Sequence, residues 1–332
     1  MTKIILEVLN SRLKIPKVLI NLTLTIFNQV YRIFKFNALW SREDKKRLSK
    51  IITSTYSSEK PPPRDFSWGS ITINIVATDK DLELLNQVVR FSCGALPNFE
   101  INLIRIIVPG NQKSRFLEET KQLRLQTQIH VIGEELIVPY EYGRDIFQNK
   151  FPERRNWCYQ QFLKVASVLS SKTEFALVVD CDTLLLNPRK WLTKEGLTCV
   201  MPTFEYESQY ENLLQALGVK DIYAEWSFVP HHMLYKVDYL KRIIEKLGMR
   251  NLDQLARKVE ELSDDRHSSP FCIDYSLYGH SIHSAHGTKT FIRWSNLEVP
   301  RSFAPLFKTG SAITRMTSML FNSISFHSWQ DR

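Results

Sequence analysis

The chain has 332 residues, 43% of them hydrophobic and 24% charged, with a formal net charge of +9. That length and mix suit a soluble globular protein with a large core. The five cysteines (Cys93, Cys158, Cys181, Cys199 and Cys272) are scattered without a C-x-x-C pair. They exclude a disulfide framework or zinc knuckle and point to a reducing compartment. Residues 1–60 hold 12 Lys/Arg and 4 Asp/Glu, a net +8 that leaves only +1 for the remainder. A basic excess confined to one end argues against a nucleic-acid-binding body.

No secretory signal is expected, because the start lacks a compact apolar core followed by a small-residue cleavage site. Across residues 18–36, Asn21, Thr25, Asn28, Arg32 and Lys35 stripe one side of a helix, and Leu19, Leu22, Ile26, Val30 and Ile33 stripe the other. The polar stripe spoils a membrane-spanning reading. An amphipathic helix on a membrane or protein surface fits, as does packing on the chain's own core. A basic run (Arg42, Lys45, Lys46, Arg47, Lys50) precedes the stiff linker around Pro61, Pro62 and Pro63. Residues 1–63 are therefore set apart as a basic helical segment with linker, and 64–332 as the main body.

The body opens with an apolar strand at 70–77 that ends on Thr78 and Asp79, then a helix through Leu82, Leu85, Val88 and Val89. Asp79 either meets a ribose or base or caps that helix. A second strand at 101–108, a helix at 115–125 and a third strand at 128–132 follow. Alternating strands and helices predict a parallel, doubly wound sheet. In the next helix Trp157, Gln160, Gln161 and Lys164 share one face, which could receive a nucleotide and its phosphates or could be an ordinary half-exposed face.

Residues 175–179 form a short apolar, β-branched run typical of a buried strand. It ends on Asp180-Cys181-Asp182, placing two carboxylates at a strand's carboxyl end, where open α/β sheets bind ligands. Two acids brought together there need a compensating cation. Oxygen-rich sites suit Mg²⁺ or Mn²⁺, ions that commonly hold substrate phosphates. Asp182 as a plain turn cap is the alternative. Farther on, 197–201 reads as a strand and 202–226 as a polar, aromatic loop (Glu205, Tyr206, Glu207, Tyr210, Glu211). Then come a strand at 228–235 interrupted by Pro230, His231 and His232, a helical region at 236–262, and a helix near Asp274. An alternating strand at 319–326 meets His327. His280, His283 and His286 are spaced so that neither a helix nor a strand gathers them, so no zinc site is expected there.

These features resemble the GT-A glycosyltransferases. They resemble more closely a bacterial family, known mainly as a domain of unknown function, with W-x-x-Q-Q-x-L-K (157–164), D-x-D (180–182) and Y-x-L-Y-G (275–279) boxes. The resemblance covers about 70–330. It implies a GT-A-like, Rossmann-like α/β fold: a mostly parallel sheet flanked by helices, with a nucleotide-binding half (64–182) and an acceptor half (183–332). It implies a hexosyltransferase-like activity, with Mn²⁺ or Mg²⁺ on Asp180 and Asp182 gripping a nucleotide-sugar diphosphate. Thr78, Asp79, Arg155, Trp157, Gln160, Gln161 and Lys164 are the other donor-side candidates. His327, with His286 as second choice, would complete the metal site, Asp274 would serve as base, and His231 and His232 would face the acceptor. The implied acceptor is a glycan or lipid-linked sugar in surface polysaccharide synthesis, in the cytoplasm or peripherally on the inner membrane face. The alternatives are a non-catalytic GT-A-like scaffold that binds sugar nucleotides or a partner, and a haloacid-dehalogenase-type phosphatase. The phosphatase motif wants Thr where Leu184 stands, although Asp264 and Asp265 could imitate its later acidic motif.

Overall fold

The computed structural model describes residues 66–327 apart from 194, 202, 204–206, 221, 223–226, 268, 287–295 and 319–320. Segment 1–63, with its expected amphipathic helix and linker, lies outside the described residues. Five strands make the main sheet: β1 (Ser70–Val76), β2 (Glu100–Val108), β3 (Gln128–Gly133), β4 (Phe175–Asp180) and β6 (His232–Lys236). Their order is β3-β2-β1-β4-β6, parallel from β3 to β4, with β6 antiparallel at the edge. The fold is thus α/β with a mostly parallel sheet flanked by helices. From β1 the chain steps outward to β2 and β3, then returns to β4 on the other side of β1. That reversal makes the β1/β4 edge a topological switch point, the place where ligand crevices form.

The central strands read as continuous apolar runs because both of their faces are covered. In β4, Phe175, Leu177 and Val179 enter one core while Ala176 and Val178 enter another. Helices α1 (Leu85–Gly94) and α2 (Lys113–Thr120) accompany the first half, and α1 is preceded by a 3₁₀ turn at Asp79–Leu84. Helix α3 (Arg155–Leu169) lies against β1 and β4 and feeds the latter.

The second half departs from expectation in places. Residues 197–201 form no strand; Thr198 makes an isolated bridge to Leu192. In place of a continuous polar loop, the stretch contains α4 (Ser208–Ala216), which buries Tyr210, Leu213 and Leu214. The helical region divides into α5 (Val237–Lys246) and α6 (Leu252–Leu262). Gly248 at φ +77° stops α5 in a left-handed turn, and the Asn251 side chain accepts from the Gln254 amide at 2.9 Å to cap α6. Helices α7 (Ser276–His286) and α8 (Ala312–Ser318) follow. A small sheet ordered β5-β8-β7 joins β5 (Thr183–Leu185), β8 (Ser323–His327) and β7 (Asn296–Pro300).

His232 and His280 are buried by this packing. His280 on α7 stands edge-on to Phe228 at 4.8 Å. Burial, with His283 nearby, lowers its pKa to about 3, and burial beside Arg189 lowers that of His232. Both bind protons more readily when unfolded. Stability is therefore full above the ordinary histidine pKa near 6.5 and is lost as pH falls below it. For His280 the loss at pH 5 is about 2 kcal/mol. Urea midpoints should fall between pH 7.5 and pH 5, and less so in His280→Phe. Equal slopes for the two proteins would refute the assignment.

Candidate active site and metal centre

The end of β4 is built by three neighbours. Val76 of β1 pairs with Asp180, so the turn after β1 lies beside the acid pair. Because β6 runs antiparallel, its beginning meets the end of β4, and the Asp180 amide donates to the His231 carbonyl at 2.9 Å. On the other side the Phe326 amide donates to the Asp182 carbonyl at 2.8 Å, bringing His327 alongside. Strand β8 sends Ile324 and Phe326 into the core and turns Ser323, Ser325 and His327 to the opposite face. In β7 the same alternation buries Leu297 and Val299 and leaves Asn296, Glu298 and Pro300 on the more open side.

Asp180 is heavily engaged. Its Oδ1 lies 2.6 Å from the Lys164 ammonium and accepts from the Tyr275 hydroxyl at 2.8 Å, while Oδ2 lies 3.3 Å from Nδ1 of His231. Burial alone would raise its pKa, but Lys164 and His231 more than offset this and hold the carboxyl below the usual range. Lys164 also bonds Oδ2 of Asp274 at 2.9 Å. Burial works against its charge, yet the two carboxylates keep its pKa above the ordinary value.

Asp182 differs. Its side chain keeps 24% of its surface accessible, and its Oδ2 is 3.9 Å from Nδ1 of His327. Burial and the neighbouring Asp180 charge push its pKa up to about 6. Burial and His231 push His327 down to about 3, leaving a neutral imidazole able to ligate. The rings of His231 and His327 are 4.9 Å apart. Ligand atoms of His231, Glu298 and His327 all lie within 4.8 Å of one another.

The structure therefore reassigns several residues. The face of α3 expected to receive a nucleotide instead grips the chain's own segment 271–274. Trp157 packs on Phe271 at 5.8 Å, and Gln161 donates to the Phe271 carbonyl at 3.1 Å and accepts from the Ile273 amide at 2.7 Å. Lys164 continues that line to Asp274. Gln160 is half-buried on the same helix, and Arg155 is bonded to Gln148. Asp274, read as a base, is 3% exposed, and its Oδ1 takes bonds from the Cys272 thiol at 3.2 Å and the Tyr275 amide at 3.1 Å. It stands here as a buried counter-ion for Lys164. His232 is 1% exposed, donates from Nδ1 to the Pro230 carbonyl at 2.7 Å and is bonded to Arg189. It is a core residue, whereas its neighbour His231 joins the acid pair. His286 lies beside Tyr239 on α5, at 6.1 Å.

The turn after β1 is also accounted for. Thr78 caps it, its amide and hydroxyl donating to Oδ2 of Asp81 at 3.2 and 3.1 Å. Asp79 does not cap; it pairs with Arg115 at 2.5 Å, and its amide donates to Gln112 at 2.8 Å. Arg301, just after β7, donates to Oδ1 of Asp81 at 2.9 Å and to Glu83 at 3.0 Å, tying this turn to the small sheet. The residues missed from sequence are His231 as a neighbour of the acids, Glu298, Tyr275 and Lys80. The charge of Lys80 reaches both Asp182 and His327. Asp264 pairs with the exposed Arg266, which gives no support to an acidic phosphatase motif there. Nor does Asp180, closed in by three donors, resemble an open nucleophile.

Fold and site together define an α/β protein with carboxylates and imidazoles gathered at the carboxyl edge of a mostly parallel sheet. The chain belongs to the family described as "Family of unknown function (DUF6492)", whose model matches residues 96–300. No curated protein matches the sequence. Among solved structures, the chain is similar to mouse xyloside xylosyltransferase 1 in its apo form, at 9% identity and a TM-score of 0.44, covering 79% of this chain and 99% of that one. It is similar also to the galactosyltransferase LgtC in complex with donor and acceptor sugar analogs, at 15% identity and a TM-score of 0.44, covering 77% and 86%. The mannosyltransferase Ktr4p from S. cerevisiae in complex with GDP matches at 12% identity and a TM-score of 0.43, covering 80% and 84%.

Proposed function

We propose that the chain is a metal-dependent glycosyltransferase that moves a sugar from a nucleotide-diphosphate sugar to a glycan or lipid-linked acceptor in surface polysaccharide synthesis. The observation that carries this reading is Asp182, partly open at the carboxyl end of β4 and faced by a neutral His327. A carboxylate whose pKa is raised by burial and a second acid is short of a cation, so the donor set fits a divalent ion. Imidazole favours Mn²⁺ over Mg²⁺. Asp182 and His327 would hold the ion, and a cation there neutralises charge growing on the leaving diphosphate.

The chain's own groups divide the remaining work. Lys164 is committed to Asp180 and Asp274 and keeps Asp180 ionised and fixed. Lys80, exposed on the turn after β1, adds positive charge where a diphosphate would lie. The Asp81–Arg301 pair holds that turn against the small sheet that carries His327. The test is incubation with Mn²⁺ and a panel of UDP-, GDP- and dTDP-sugars. Slow release of nucleoside diphosphate from at least one donor, abolished by chelation, is expected. No metal-dependent binding or hydrolysis with any donor would overturn the reading.

We also propose that residues 1–60 attach the chain peripherally to an anionic membrane. Among the described residues no helix is long and apolar enough to cross a membrane. The support is in the sequence: an apolar stripe from Leu19 to Ile33 next to a net charge of +8. Each basic residue adds about 1 kcal/mol at such a surface. The protein should float with anionic liposomes at low salt, less at high salt, and a chain starting at Arg64 should not. Full-length protein that stays in solution would rule out the anchor.

A further inference from the structure

Both carboxylate oxygens of the first acid of the pair are already engaged, and a residue that the motif does not contain faces it. Nδ1 of His231 faces Oδ2 of Asp180 at 3.3 Å. With that nitrogen protonated and donating, Nε2 carries the ring's lone pair. A carboxylate behind an imidazole is the usual device that fixes a ligating histidine's tautomer and raises its basicity. Here the carboxylate is itself held by Lys164 at 2.6 Å and Tyr275 at 2.8 Å. His231 is also the one non-glycine residue at positive φ among the described residues, at +60°. That conformation costs energy for a side chain with a Cβ and persists where the surroundings fix it. It turns His231 toward the end of β4 immediately before β6 begins.

Glu298 completes the set. It lies on the open side of β7, in register with Ser325, two residues before His327 on β8. The ligand atoms of His231, Glu298 and His327 lie within 4.8 Å of one another. Two ligands on one ion at about 2.1 Å each are about 3–4 Å apart, so a small tightening closes the set. The residue before β6, the middle of β7 and the end of β8 thus supply two imidazoles and a carboxylate, and Asp182 borders them through His327.

We propose that His231 and Glu298, with His327, form a protein-built site for a divalent transition ion, which binds before any nucleotide, while Asp180 acts as a positioning residue that orients His231. Two imidazoles and a carboxylate select Mn²⁺, Fe²⁺ or Zn²⁺ over Mg²⁺. This deepens the reading above at the same site but does not require transfer to occur.

The experiment titrates Mn²⁺ into the metal-free, full-length protein without nucleotide, following free Mn²⁺ by electron paramagnetic resonance. One ion per chain should bind, and Mg²⁺ should compete poorly. Glu298→Gln and His231→Asn, the latter chosen because Asn tolerates positive φ, should each weaken Mn²⁺ by about tenfold or more. Circular dichroism of the metal-free variants checks that they fold. Electron spin-echo modulation on the unaltered protein then counts imidazole nitrogens without any substitution, and two are expected. Binding that needs a nucleoside diphosphate, affinity unchanged in folded variants, or one imidazole or none on the ion would each overturn the proposal. Donor hydrolysis is scored separately: Mn²⁺ held by two imidazoles with no sugar release would sink the transferase reading and leave the site standing.

Discussion

Lys164→Met is expected to destabilise the protein by about 3–5 kcal/mol, the cost of stranding buried charge by removing its partner. Lys164 is 5% exposed, and its ammonium is shared between Asp180 at 2.6 Å and Asp274 at 2.9 Å. Methionine fills similar volume, so the loss measures charge rather than a cavity. What remains is two carboxylates in a desolvated pocket with only imidazole, hydroxyl, thiol and amide donors. The double substitution Lys164→Met with Asp274→Asn should recover part of the loss, because one of the two stranded charges is gone. Contacting residues of one network couple by about 0.5–3 kcal/mol in such cycles. Urea unfolding at neutral pH gives all four corners. A single variant within about 1 kcal/mol of the wild type, or a strictly additive double, would show that the network is not coupled as the geometry describes. Donor binding should fall as well, because Asp180 would lose the contact that fixes it behind His231.

The parts of this site that could be read from sequence are those encoded within a few residues. The run from Phe175 to Val179 ending on Asp180 announces a buried strand and its polar edge, and β1 and the second half of β2 are similarly legible as buried runs, while β3 shows the alternation of an edge strand. Long-range pairing is what escaped. Trp157, Gln161 and Lys164 do share a face, but its partner lies some 110 residues away at Phe271–Asp274, and nothing local distinguishes that from a ligand face. His231 reaches Asp180 only because β6 pairs antiparallel with β4, which an alternating βα pattern does not foretell. Glu298 sits in the short alternation Asn296-Leu-Glu-Val-Pro300, a usable strand signal, yet its value depends on lying beside β8. The helix α4 was legible: Tyr210, Leu213, Leu214 and Leu217 recur at helical spacing inside the polar stretch. The Tyr275–Gly279 box also becomes intelligible only in three dimensions. Tyr275 bonds Asp180, the Tyr278 hydroxyl accepts from the Lys236 amide at 2.9 Å, and a side chain at Gly279 would collide with Phe228.

Asp182→Asn should separate function from stability in the opposite way to Lys164→Met. The Asp182 carboxylate gains little from the protein itself. Its side chain accepts a long bond from the Thr183 hydroxyl at 3.4 Å, and burial together with the charge of Asp180 disfavours its ionised form. A group whose folded pKa is raised to about 6 detracts from stability once the pH is above that value. The neutral amide removes the repulsion at nearly constant shape, so the metal-free variant should melt at or above the wild-type temperature at pH 7.5. Activity should move the other way. A residue that helps to hold charge-stabilising groups at the reacting diphosphate is worth about 10²–10³-fold in rate, and metal-dependent donor binding should be lost with it. Added Mn²⁺ should raise the melting temperature of the wild type more than that of the variant, since only a ligand that binds the folded state stabilises it. Calorimetry with Mn²⁺ and the same panel of nucleotide sugars, alongside thermal unfolding with and without metal, reads both effects. Unchanged donor affinity in the variant would remove Asp182 from the metal site. A variant that melts well below the wild type without metal would instead make it a structural turn residue after β4.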